Sequence, residues 1–388
     1  MKYSSLASGT MLIPKFLSGF QFNEVVGEKK LIVIQLSGGN DGLNTVIPFE
    51  NDIYYNARKV IGVSKDSVLK LNDELGFNPV MEKIKNLFDD GLMSVINSVG
   101  YPNPDRSHFR SMDIWHTGSD AQDYFPTGWL GRYLDATCKD CANAYKAIEL
   151  DDQLSLAMKG EFKNGLAMKD PEKLFRTTND SFLVEASGFS NHDDEPNVEY
   201  LYKTMIETIS SAEHIYEQSK IYKSTTTYPN HPFAKQVKQT AELICSGLET
   251  SVYYLSLSGF DTHIKQVALQ EKLLNVVSES LDCLMTDLKD NEKVNDVMVM
   301  IFSEFGRRVK QNASNGTDHG TANNLFLISG GLKQPGFYNA APDLSDLDDG
   351  DLKYQIDFRN IYATILDRWL GVNAEEILKQ KFDPLLFI

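Results

Sequence analysis

The chain has 388 residues, of which 42% are hydrophobic and 11% aromatic, enough to bury a substantial core in one large domain or two. Its 38 lysines and arginines stand against 54 aspartates and glutamates, giving a formal charge of −16. That balance excludes sequence-independent binding to nucleic acid or anionic lipid, and leaves room only for a local basic pocket.

From the N-terminus, "SSLASGTMLIPKFLSGF" is apolar and rich in small residues, but Gly9 and Pro14 interrupt it and it is too short for a transmembrane helix. It resembles the hydrophobic part of an export signal, so residues 1–25 are expected to be the remnant of one and the protein to be exported, periplasmic or extracellular. A twin-arginine signal would carry an Arg-Arg pair just before this stretch. Here only Lys2 precedes it, as expected if the native start lies further upstream. The structural alternative is an ordinary frayed terminus.

Further along, "LIVIQL" (31–36), "LMSVIN" (92–97), "VYYLSLS" (252–258), "VMVMIFS" (297–303) and "LFLIS" (325–329) are runs with no polar face. Such runs suit strands buried on both sides, as in a parallel sheet covered by helices. Helical patterns fall around 78–90, 106–117, 127–137, 232–248 and 265–289. The expected class is α/β, a mostly parallel central sheet with helices on both faces, forming a single domain over 26–388. Residues 150–230 are less regular, with a loop at "NHDDEP" and a helix over about 197–220, and are expected to form an inserted cap. No internal repeat is present.

In an open α/β sheet, ligands gather beyond the carboxyl ends of the strands. There "LIVIQL" runs into "SGGNDGLN", "LMSVIN" into "SVGYPNPDRSHF", "VYYLSLS" into "GFDTH" and "VMVMIFS" into "EFGRR". These ends deliver Asp41, Ser107 with His108, Asp261 with His263, and Glu304 with Arg307 to one edge. "NGTDHGTANN" adds Asp318 and His319, and because it precedes its strand it is expected to reach that edge from the side. Each piece alone has a plain structural role: tight turns for the glycines, a helix cap for Ser107 or His108, a turn for Asp261 and His263. Recurrence at several strand ends favours chemistry, with carboxylates and imidazoles suited to Zn²⁺ or Mn²⁺ and Arg307 available for an oxyanion. His116, His192, His214 and His231 lack such placement and are expected to be structural. Cys138 and Cys141 form a lone CxxC, without the second pair a zinc site needs, and are also expected to be structural.

Taken in order, "LSGGNDGLNTVIP", "RSHF", "GWLGRYLD", "SGFDTH", "SEFGRR", "GTDHG" and "DFRNIYATILDRWLG" resemble the DUF1501 family, mostly uncharacterised and often exported bacterial proteins related to the alkaline phosphatase and sulfatase superfamily. The resemblance covers nearly the whole chain and implies an alkaline-phosphatase-like fold and a two-metal site. By position, Asp41 matches the first metal ligand and Ser107 the nucleophile that opens a helix. Asp261 with His263 fits the third motif, and His319 the last. Two departures stand out: Glu304-Phe305 replaces the usual Asp-His pair, and Asp261-Thr262-His263 replaces Asp-x-x-x-His, so one metal site is altered or lost. The metal set comprises Asp41, Asp261, His263, Glu304, Asp318 and His319, with a divalent cofactor (Zn, Mn, Mg or Ca). Ser107, His108 and Arg307 carry catalysis, His108 or Asp318 shuttling a proton. The implied activity is hydrolysis of phosphate or sulfate esters on an anionic substrate. The alternative is an exported, non-catalytic protein that kept the fold and binds a protein or glycan.

Overall fold

The periodicity of the first strand explains the layering. In a computed structural model, which describes residues 29–138, 144–181, 183, 185 and 196–388, β1 (Lys30–Ser37) has Ile32, Ile34 and Leu36 in one core cluster and Leu31 and Val33 in another. Alternate side chains enter opposite faces, so both faces must be covered. The stretch read as an export signal lies outside the described residues.

The chain continues through α1 (Glu82–Asp89), β2 (Met93–Gly100), α2 (His108–Thr117), α3 (Trp129–Thr137), β3 (Ala147–Glu149), β4 (Leu166–Ala167), α4 (Pro171–Thr178) and α5 (Pro196–Gln218). It ends with α6 (Pro232–Cys245), β5 (Val252–Ser258), α7 (Gln266–Asp290), β6 (Val297–Phe302), β7 (Asn323–Ile328), β8 (Gly336–Phe337), β9 (Ile356–Asp357) and α8 (Phe358–Thr364). The nine-stranded sheet has the order β8-β2-β7-β6-β1-β5-β3-β4, with β9 also pairing with β2. Helices α1, α6 and α7 cover one face through residues such as Leu87, Val237 and Leu281. The other is covered by α2, α3 and α8 through Trp115, Trp129 and Tyr362, whose rings stack or meet edge to face. Burying each such large side chain contributes roughly 1.5–3 kcal/mol.

The sheet is mixed and mostly parallel: β1 runs parallel to β5 and β6, whereas β7 is antiparallel to β6 and β2. That reversal corrects one expectation. Because β7 runs backwards, its start lies at the carboxyl edge of its neighbours, so the Asp318-His319 loop meets that edge directly. The short strands β3, β4, β8 and β9 escape sequence reading because two or three residues carry no periodicity. Within 150–230, β4 joins the main sheet by pairing with β3, while α4 and α5 meet through the stacked rings of Phe175 and Tyr216. Among the described residues no helix is long and apolar enough to cross a membrane.

Candidate metal centre

Close backbone approach at the end of β1 starts the site. A Cβ on Gly38 would lie 2.4 Å from the Asp261 nitrogen, and one on Gly39 would lie 2.3 Å from the Phe305 ring. Both glycines have positive φ, +117° and +72°, so no other residue fits without strain. The Gly38 amide donates to Glu304 Oε1 at 2.8 Å, tying the first loop to the end of β6.

Beyond the glycines the chain turns inward, and Asp41 does not join the imidazoles. Its Oδ2 accepts from Arg58 Nη1 at 2.5 Å and from Gln266 Nε2 at 2.5 Å, and the ion pair is fully buried. Arg58 also donates to Asn44 and to the Val309 carbonyl, fixing the residue after a short helix (Asp52–Ala57) against the sheet edge. A resident guanidinium thus occupies the carboxylate expected to bind the first metal. Asp41 Oδ1 has no hydrogen-bond partner, but it belongs to no cluster of metal-capable side chains among the described residues.

The other strand ends do converge. His108, Asp261 and His319 present ligand atoms that all lie within 4.8 Å of one another. Asp261 Oδ1 stands 3.5 Å from His108 Nε2, 3.2 Å from His319 Nε2 and 3.0 Å from His263 Nε2. Each imidazole uses its other nitrogen elsewhere. His108 Nδ1 is 2.8 Å from Glu304 Oε1, His319 Nδ1 is 2.8 Å from the Arg106 carbonyl, and His263 Nδ1 is 3.2 Å from Asp318 Oδ1. Each Nδ1 thus faces an oxygen that only accepts, and each Nε2 is turned toward the Asp261 carboxylate. His263 Nε2 and His319 Nε2 are nevertheless 3.0 Å apart, and His108 Nε2 is buried with no hydrogen-bond partner. Two facing Nε2 atoms at this distance are accommodated by a hydrogen on one ring or by a cation between them. Tetrahedral ligand atoms about 2 Å from a zinc ion stand roughly 3.3 Å from one another, the scale of these separations.

Protonation reinforces the pattern. Burial would raise Asp261, but the hydrogen bond from Arg307 and nearby positive charge hold it down at about 2, so it is an anion at neutral pH. Burial lowers His319 from its ordinary value, which favours its neutral ring. The hydrogen bond to Glu304 raises His108. The Asn312 amide, followed by His263, lowers Asp318 and preserves it as an acceptor.

Several roles shift accordingly. Glu304, fully buried, and Asp318 face imidazole Nδ1 atoms and lie outside the group of side chains that could hold an ion together. His108, expected to carry catalysis, stands instead with Asp261 and His319 in the group that could hold an ion. Arg307 is corrected more sharply: its buried guanidinium donates to the carbonyls of Gly38, Gly39, Phe260 and Thr317 and to Asp261 Oδ1. With its three nitrogens committed to three loops, it is not free to take a substrate oxyanion. Ser107 precedes α2 as its N-cap but makes no side-chain capping bond, and it is exposed. Sequence reasoning passed over Arg58, Gln266 and Arg106, whose only signals were an arginine after a short helix, a polar residue opening a helix, and an "RSH" triplet. Cys138 is disulfide-bonded, Cys141 lies outside the described residues, and Cys245 and Cys283 are free. His116 is structural: burial lowers it to about 4, and its Nε2 meets Tyr254 Oη at 3.0 Å. His192 lies outside the described residues.

Fold and site together define an α/β protein with an imidazole-carboxylate centre at the carboxyl edge of its sheet. Over residues 28–383 the sequence matches the family described as "Protein of unknown function (DUF1501)", and the chain belongs to that family. No curated protein matches it. Among solved structures it is similar to the lipoteichoic acid synthase LtaP from Listeria monocytogenes, at 10% identity over 93% of this chain and 75% of that one, TM-score 0.41. It is also similar to the PsFucS1 sulfatase from Pseudoalteromonas sp., at 12% identity over 93% and 72%, TM-score 0.41. The C-terminal periplasmic domain of EcEptC from Escherichia coli, in complex with Zn, matches at 10% identity over 78% and 73%, TM-score 0.38.

Proposed function

We propose that the protein is a metal-dependent hydrolase of phosphate or sulfate esters, with one divalent ion held by His108, Asp261 and His319 and flanked by His263. The observation that carries this reading is the convergence of His108, Asp261 and His319, whose ligand atoms all lie within 4.8 Å of one another, with the Nδ1 of each of the two imidazoles turned to an oxygen acceptor. A donor set dominated by imidazole suits zinc and disfavours magnesium and calcium, which prefer oxygen. The capture of Asp41 by Arg58 supports one ion rather than two.

When bound, such an ion acts as a Lewis acid toward an anionic ester oxygen and lowers the pKa of a nucleophile beside it. The protein's own groups do the rest. Glu304 and Asp318 fix two imidazole tautomers, and the Arg106 carbonyl fixes the third. Arg307 holds the loops bearing Gly38, Asp261 and Thr317 in one arrangement. Ser107, exposed and free of any capping bond at the start of α2, is the candidate nucleophile where helix amides favour an anion. Export is part of the proposal, supported by the Cys138 disulfide, which suits an oxidising compartment.

The test is metal content of purified protein, followed by a panel of phosphate and sulfate esters. One equivalent of zinc with turnover of either ester class supports the reading. Bound metal with no hydrolysis moves the protein to the non-catalytic alternative, and absence of metal removes the centre itself.

A further inference from the structure

A cavity of about 360 Å³ adjoins the metal centre, a size within the usual range for a small-molecule pocket. Part of its wall comes from the segments that carry the cluster. Glu304, which orients His108, lines it, as do Asp105 beside Arg106 and Thr321 beyond His319. Phe305 separates cavity from cluster: its ring lies 4.8 Å from the centroids of both His108 and His319.

The rest of the lining is largely apolar, with Tyr101, Trp115, Leu352 and Tyr354 joining Phe305. Its charged groups are Asp105, Glu304 and Asp348 against Lys353, an acidic balance that repels a second anionic group on the same ligand. At the cluster itself, Phe109 directly follows His108 and is 86% exposed, and Ile264 directly follows His263 and is 66% exposed. Two exposed apolar side chains are thus next in sequence to two of the imidazoles, outside the cavity itself.

We infer that this cavity holds the alcohol portion of the ester and that this portion is an uncharged ring. The inference rests on the hydrolase reading for what it calls substrate, but the cavity's preference stands apart from turnover. The substrate class is then a singly esterified ring alcohol, rather than a polyanion or a diester between charged partners. Aromatic walls take a ring by offset or edge contact, and the acidic rim accepts from hydroxyl groups on it.

The test separates the cavity from the chemistry. Full-length protein stripped of metal is titrated with 4-fluorophenol and, separately, with methyl β-glucoside, and binding is followed by ligand-observed NMR. We expect at least one of these rings to bind, and benzoate, an aromatic anion, to bind more weakly than 4-fluorophenol. Tyr354→Ala, at a 40% exposed position, weakens the binding by about fivefold, the scale of losing one aromatic contact. Leu352→Trp fills the cavity and abolishes binding, with thermal melting as the control for folding. If Leu352→Trp fails to fold, Tyr354→Ala alone decides. Failure of both neutral rings to bind, or binding that Tyr354→Ala leaves unchanged, overturns the inference. A ring that binds metal-free protein as expected, in a preparation that hydrolyses no ester when metal-loaded, leaves the cavity assignment standing and removes the hydrolase. Phosphate or sulfate ester turnover without ring binding does the reverse.

Discussion

Substituting Asp41 by asparagine separates a one-ion centre from a two-ion centre. The carboxylate sits in a fully buried ion pair with Arg58, and its Oδ2 also accepts from Gln266. Asp41→Asn removes the charge but keeps an acceptor, leaving the guanidinium buried and uncompensated. Breaking a buried pair in this way costs about 3–5 kcal/mol, and the retained acceptor places this case near 3 kcal/mol. An unfolding entropy of about 2.1 cal/mol/K per residue, applied to 388 residues, gives roughly 0.8 kcal/mol/K, so Tm should fall by about 4 °C. Zinc affinity should stay within about twofold, because Asp41 lies outside the ligand cluster. Calorimetry and a chelator-competition titration on the same preparation check both. Loss of half the bound metal with an unchanged Tm would refute the reasoning, since Asp41 would then be a ligand and Arg58 a bystander.

Glu304→Gln should weaken zinc binding by about 10–100-fold without removing a ligand, because it disturbs the acceptor that orients His108; chelator competition reads this, and affinity equal to wild type would deny Glu304 its orienting role. Ser107→Ala should abolish ester turnover with metal affinity and Tm nearly unchanged, as its hydroxyl makes no capping bond; surviving turnover would transfer the nucleophile's role to water. Glu149, buried at the end of β3, is raised by burial from 4.5 to about 7, so the native state binds more protons than the unfolded chain between those values. The stability it contributes is full below pH 4.5 and is lost as pH rises through about 7. Glu149→Gln should therefore stabilise the protein at pH 8 by up to roughly 3 kcal/mol, seen as a higher Tm, and change little at pH 4.5; equal effects at both pH values would contradict the linkage.

Much of this was legible in the sequence because its causes are local. The run "VYYLSLS" has no polar face, and it is a strand over Val252–Ser258 with most of its residues buried. The strand ends were legible as polar loops, and Asp261, His263, Glu304 and His319 do meet. Their ranks were not, because rank depends on which nitrogen faces which oxygen across strands far apart in sequence. Glu304 and His108 are separated by 196 positions, and no spacing rule says that one orients the other. Asp41 shows the same limit from the other side: its motif position matches a ligand, but the partner that occupies it is Arg58, just after a short helix without a diagnostic pattern. The reversal of β7 depends on hydrogen-bond partners and has no signature in "LFLIS".

The glycine-rich loop around Asp318 and His319 has its physical reason in crowding. A Cβ on Gly316 would lie 2.3 Å from the His263 carbonyl carbon, and one on Gly320 would lie 2.6 Å from the Arg307 carbonyl carbon. The two glycines flanking Asp318-His319 thus let the loop lie against two different strand ends at once. One contact places Asp318 on His263 Nδ1, and the other places His319 beside Asp261. Thr317 completes the join: its hydroxyl donates to Gln266 Oε1 while its carbonyl accepts from Arg307. Through Gln266 the loop also touches the Asp41–Arg58 pair, although Asp41 stands outside the cluster. A substitution at Gly316 should therefore displace His263 and Asp318 together, loosening one side of the centre while the His108–Glu304 side keeps its geometry. Cobalt substituted for zinc would report this as a changed visible spectrum in Gly316→Ala, and a spectrum identical to wild type would mean that this loop and His263 do not shape the ion's surroundings.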